Sequence, residues 1–141
     1  MTTLGHGDRL MAEIIKRLDS GDDDSLFTGG CCFYFAMCAH KRGLGKLVYS
    51  GTSADPTKKG HAFVITGDGR AFDYNGYTSP STLVFKFTRI RNSTPRTGSL
   101  DEVEREIAAQ RFPAEVTKRI FARANEIITK SETTASAPWA P

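Results

Sequence analysis

The chain has 141 residues, 39% of them apolar, and a formal net charge of +3, which is the size of one compact domain around one core. The longest apolar run, around Phe33 to Ala39, falls far short of the ~20 residues of a membrane span. The N-terminus, Met1-Thr2-Thr3-Leu4-Gly5-His6-Gly7-Asp8, has neither the basic patch nor the apolar stretch of a signal peptide, so a soluble, cytoplasmic protein without a membrane partner is expected.

Leu10, Met11, Ile14, Ile15 and Leu18 recur at three- and four-residue spacing, which predicts an amphipathic helix from Asp8 to Leu18 with Asp8 as its cap. Gly21-Asp22-Asp23-Asp24-Ser25 then reads as a solvated loop, since its acids lack the oxygen spacing of a calcium loop. From Gly30 to about Lys41 the chain is apolar on nearly every side, through Phe33, Tyr34, Phe35, Ala36, Met37 and Ala39. Such a helix is buried in the core. Gly43 and Gly45 end it, and Lys46 to Ser50 is short and β-prone enough to be a strand. Gly51 to Gly60, with Ser53, Asp55 and Pro56, reads as an exposed loop.

His61 to Thr66 and Arg70 to Tyr74 form a predicted hairpin around Gly67-Asp68-Gly69, a three-residue loop whose last position needs a left-handed residue, supplied by Gly69. In that register residues 66 and 70 pair, 63 faces 73, and His61, Phe63 and Asp73 share one face of the ribbon. A two-residue loop would put Asp73 on the face opposite His61. Leu83 to Ile90 alternates Leu83, Phe85 and Phe87 with other residues and predicts a further strand, followed by a loop from Arg91 to Gly98. Ser99-Leu100-Asp101-Glu102 is a capping box opening a helix that ends near Phe112. Pro113 starts a last helix with Val116, Ile120, Phe121, Ala124, Ile127 and Ile128 as its apolar stripe. From Ser131 the Ser/Thr/Ala/Pro-rich end predicts a disordered tail, which leaves one α+β domain over residues 1–130 and a tail over 131–141.

The chemistry concentrates in three places. Thr28-Gly29-Gly30-Cys31-Cys32 leads into the buried helix, Gly60-His61 opens a strand, and Phe72-Asp73-Tyr74 lies on the next. A helix N-terminus carries roughly half a positive charge that stabilises a thiolate, the reactive form of cysteine. An imidazole in reach takes the thiol proton, and a carboxylate behind it fixes the ring. Adjacent helical residues point in different directions, so only one of the cysteine pair can face the hairpin. Cys32, three residues before Phe35 and four before Ala36, shares the core-directed face and is the expected nucleophile; Cys31 points elsewhere. His61 is the expected base, whereas His40 sits near a helix end and His6 in the terminus. Asp73 is preferred as the orienting group over Asn75, which shares its face and could also orient a histidine.

Three cysteines crowded at 31, 32 and 38 are a poor disulfide framework and read as reduced thiols. Together with His40 they could also be read as soft metal ligands, but they point around a helix and lack the paired CxxC spacing of structural zinc. No metal or cofactor is expected. Basic residues are interspersed with acids along the C-terminal half, so no dense array for phosphates, and no nucleic-acid partner, is expected.

Gly30, Cys32, Phe35-Ala36, then His61 on a strand, then the Asp68-Gly69 to Asp73 and Gly76 hairpin ending resembles the pattern of small bacterial and phage proteins that look like minimal papain-like cysteine peptidases. The resemblance covers roughly residues 26–80. It implies a helix carrying the nucleophile Cys32 packed on a small antiparallel sheet carrying His61 and Asp73, with flanking N- and C-terminal helices. Papain-like peptidases usually place a Gln or similar donor shortly before the cysteine for the oxyanion, and Ser25 to Gly30 contains none. The backbone N–H of Cys32, with the Thr28 hydroxyl, is left for that role.

Two functions follow. The first is a cysteine hydrolase or acyl transferase acting on an amide, isopeptide or thioester bond of a protein or peptide substrate, with Cys32 attacking, His61 moving the proton and Asp73 holding His61. The second is a non-catalytic phage or mobile-element protein that uses the same scaffold to bind and inhibit a host protein. Fold alone does not separate them.

Overall fold

The computed structural model describes residues 6–28, 30–51, 60–89 and 95–135. Helix α1, His6–Ser20, buries Ile14 and begins before its expected cap, so that Asp8 lies inside it. Gly21, at φ 74°, turns the chain. The acid run that follows is not a loop: Asp23–Thr28 forms a short helix, α2, with Asp23 and Asp24 in its first turn and Leu26 and Phe27 buried. Carboxylates are favourable at a helix start, and Asp22 Oδ1 accepts the Ser25 N–H at 3.3 Å. Helix α3, Cys32–Lys41, is buried along most of its length as its composition dictates, and left-handed Gly43 (φ 79°) ends it with its N–H on the His40 carbonyl.

The sheet is antiparallel. Strand β1 (Lys46–Ser50) pairs with β2 (His61–Ile65), and β2 with β3 (Ala71–Asp73), in the order β4-β3-β2-β1-β5 once β4 (Gly76–Thr78) and β5 (Arg96–Thr97) are added at the edges. Gly45 lies so close to β2 that an added Cβ would stand 2.4 Å from the Ile65 carbonyl oxygen. The hairpin register is the expected one: Ile65 pairs with Ala71 and Val64 with Phe72. Thr66 donates its N–H to the Arg70 carbonyl at 2.8 Å, and Gly69 sits at φ 85°.

The expected strand from Leu83 to Ile90 is a helix, α4, Pro80–Thr88. Ser79 caps it, accepting the Thr82 N–H at 3.2 Å, and Pro80 suits the first turn. Leu83, Val84, Phe87 and Thr88 form its helical stripe toward the sheet, and the apparent alternation of Leu83, Phe85 and Phe87 was a coincidence of that stripe with exposed Phe85. Within the region expected as a loop before Ser99, β5 adds to β1 through Val48↔Thr97. Helix α5, Leu100–Gln110, starts at the capping Ser99, whose Oγ accepts the Glu102 N–H at 3.2 Å. Helix α6, Ala114–Ala135, carries the predicted stripe, with Val116, Ile120, Ala124 and Ile128 buried. It continues through residues 131–135, where a tail was expected; residues 136–141 lie outside the described residues, as do 52–59 of the loop before His61.

The sheet has two covered faces. Leu47, Tyr49, Ala62, Val64 and Phe72 pack with α3 and with residues of α5 and α6. Val48, Phe63 and Ala71 pack with Leu83 and Val84 of α4. The architecture is therefore α+β, a five-stranded antiparallel sheet with α3 at the centre of the helical layer. Among the described residues no helix is long and apolar enough to cross a membrane.

Candidate functional site

Strand pairing puts His61 and Asp73 on the face that α4 covers, and they meet: His61 Nε2 lies 2.9 Å from Asp73 Oδ2. A carboxylate only accepts, so Nε2 carries the hydrogen. The other carboxylate oxygen, Oδ1, accepts the Asn75 N–H at 2.9 Å. Asp73 is thus oriented from both sides, and Asp73 rather than Asn75 holds the ring. Phe87 of α4 stacks on the imidazole, with centroids 4.0 Å apart and planes 13° apart.

Cys32, the first residue of α3, comes within hydrogen-bonding range of the same ring and favours its charged form. Its approach does not make an aligned hydrogen bond, and Nδ1 is buried with no hydrogen-bond partner. Burial is the largest single influence on His61 and disfavours the imidazolium, but the Asp73 hydrogen bond and the Cys32 side chain together outweigh it and raise the pKa to about 9. The nucleophile, base and orienting acid expected from the sequence are therefore brought together in the expected order. Exposure is 3% for Cys32, 1% for His61 and 3% for Asp73.

The adjacent cysteine behaves differently. Cys31 precedes the helix as its cap residue, fully buried, and donates its N–H to the Leu26 carbonyl. Burial, reinforced by Cys32, pushes its thiol up to about 12 against a smaller pull from Arg17. Cys38 is pushed by burial to about 11, opposed by Lys41 and Arg42. Its Sγ lies 4.0 Å from the Phe121 carbonyl oxygen, far along the helix from Cys32. His40 is engaged through Nδ1 with the Gly45 carbonyl at 2.9 Å. Among the described residues no group of three His, Cys, Asp or Glu side chains is disposed to hold a metal.

The expected oxyanion donors divide. Thr28 is committed elsewhere, its hydroxyl donating to the Asp24 carbonyl within α2. The Cys32 N–H belongs to the first turn of α3, where N–H groups have no intrahelical acceptor.

Three further residues shape the site and were not singled out from the sequence. Ser50 is the cross-strand partner of His61, 1% exposed, and its Oγ is buried without a hydrogen-bond partner. Phe87 covers the imidazole. Gln110, at the end of α5, donates from Nε2 to the Gly30 carbonyl at 2.7 Å and so ties down the turn that enters α3. The Ser50 signal was available in the β1–β2 register, but the other two depend on long-range packing. No protein-family model, no curated protein and no solved structure matches this chain.

Proposed function

We propose that the protein is a cysteine hydrolase or acyl transferase of papain-like type, acting on an amide, isopeptide or thioester bond. One observation carries the reading: His61 is fixed through Nε2 on Asp73 at 2.9 Å while its Nδ1 is left without a hydrogen-bond partner, and the Cys32 side chain comes within reach of the same ring. In the reaction the sulfur adds to the substrate carbonyl while the proton of the Cys32–His61 pair sits on the imidazolium, which its raised pKa favours. The Cys32 N–H, supported by the dipole of α3, faces the developing oxyanion. His61 then returns the proton to the leaving amine or thiol. A thioester to Cys32 remains, and water or an acceptor amine resolves it by the same route in reverse. Asp73 holds the ring and stabilises the imidazolium.

Iodoacetamide labelling at pH 6, read by peptide mass, tests this. Cys31 and Cys38, held protonated by burial, are expected to stay unmodified while Cys32 labels. Cys32→Ala abolishes labelling, and His61→Ala slows it by about tenfold or more because the ring that holds the pair's proton is gone. A second reading, a non-catalytic protein that binds a host protein, is favoured by the closure of the site, where Cys32 and His61 are only 3% and 1% exposed. Unreactivity of all three thiols at pH 6 would decide for it.

A further inference from the structure

Between α4 and the β3–β4 hairpin runs a groove of about 400 Å³ whose lining includes Asp73, Asn75, Thr82, Phe85, Lys86 and Arg89. Its charges are unbalanced. Lys86 and Arg89 are exposed, and neither pairs with a described carboxylate. By contrast Arg70, Arg96, Arg119 and Arg123 hold Asp68, Glu102, Asp19 and Asp23 respectively. The one acid in the groove's lining, Asp73, is already engaged by His61 and by the Asn75 N–H. Phe85, 37% exposed and the one large apolar side chain open to solvent among the described residues, stands beside the two cations.

The groove is also placed to serve the thiol. Asp73, the acid that holds His61, also lines the groove, so a peptide lying in it borders the residues of the proposed chemistry. An apolar ring beside paired cations suits a side chain with methylenes and a terminal carboxylate.

We propose that this groove is a subsite for an acidic side chain, glutamate above all, of a peptide substrate. The proposal rests on the cysteine-hydrolase reading above and gives it a substrate class. Lys86 and Arg89 hold the carboxylate, and Phe85 packs on the stem that carries it.

The test uses a fluorescein-labelled Ala/Glu hexapeptide and its Ala/Gln counterpart, with the full chain. By fluorescence anisotropy on Cys32→Ala, the Glu peptide is expected to bind at least tenfold tighter than the Gln peptide. Lys86→Glu/Arg89→Glu is expected to abolish that preference, whereas an equal charge change at two exposed lysines elsewhere, Lys16→Glu/Lys118→Glu, leaves most of it. On the wild type, the Glu peptide at saturation is expected to slow iodoacetamide labelling of Cys32 at least fivefold. Equal binding of the two peptides, or a preference that survives reversal at 86 and 89, overturns the proposal. Displacement by inorganic phosphate at the same concentration as free glutamate peptide also overturns it, because the groove would then be a site for a compact anion. Tight binding without protection of Cys32 refutes the subsite while leaving the hydrolase reading in place. Absence of any thiol labelling without peptide refutes the hydrolase reading itself, and the subsite with it.

Discussion

Replacing Asp73 by Ala is expected to weaken the pH dependence that His61 confers on stability. In the wild type, burial works against the imidazolium, but the Asp73 hydrogen bond and Cys32 hold its pKa at about 9, above the ordinary value of ~6.5. The folded protein therefore holds this proton more tightly than the unfolded chain. The stabilisation is complete below pH ~6.5, declines as pH rises, and is lost above pH ~9. At about 1.4 kcal/mol per unit, the shift to about 9 corresponds to about 3 kcal/mol. Without Asp73 only the Cys32 side chain opposes burial, and the pKa of the ring falls. Urea unfolding followed by circular dichroism at pH 6 and pH 9.5 reads the difference. Asp73→Ala is expected to cost more at pH 6 than at pH 9.5, by up to about 3 kcal/mol, a relative shift in urea midpoint of up to about 2 M for a slope of ~1.5 kcal/mol/M. An equal cost at the two pH values would refute the argument that Asp73 holds His61 charged.

Three other substitutions probe the scaffold. Gly69→Val places a β-branched residue at φ 85° with no atom within 4 Å of its Cβ, so backbone strain alone should lower stability by about 1 kcal/mol or more in chemical denaturation. Gly45→Ala drives a Cβ to 2.4 Å from the Ile65 carbonyl oxygen, and a melting temperature within 2 °C of wild type, against an expected loss of about 2 kcal/mol, would show that β1 and β2 do not meet as described. Phe87→Ala removes the ring stacked 4.0 Å from His61; it should cost about 2 kcal/mol and, by opening the site, raise the rate of Cys32 labelling at pH 6.

The hairpin was legible because Gly69 determines its own loop geometry, and a loop of odd length carries His61 and Asp73 to a common face. The burial of Cys32 was legible because a helix with so few polar positions has to be buried; its approach to His61, which lies on the α4 face of the sheet, was not. The short elements were not. Leu83 to Thr88 carries an apolar run that strand and helix periods fit almost equally well, and the Ser79-Pro80 start that decides for α4 was overlooked. Helix α2 is held by Arg123 of α6, whose guanidinium clamps the Asp23 carboxylate. Edge strands β4 and β5 are only three and two residues long; what makes them strands is the neighbour they pair with, which no local pattern reveals. The stacking of Phe87 on His61 and the reach of Gln110 to Gly30 belong to the same class of non-local fact.

That reach of Gln110 has a consequence in time. During synthesis Cys32, His61 and Asp73 all leave the ribosome well before the residue that secures the turn into α3, and before α6, on which α3 also packs. At ~5–20 residues/s, the roughly 60 residues between Asp73 and the end of α6 take on the order of 3–12 s to add. Through that interval the nascent chain carries a complete set of reactive groups without the C-terminal helices that seat them. The packing that seats these side chains is therefore complete only once α5 and α6 have followed them out of the ribosome.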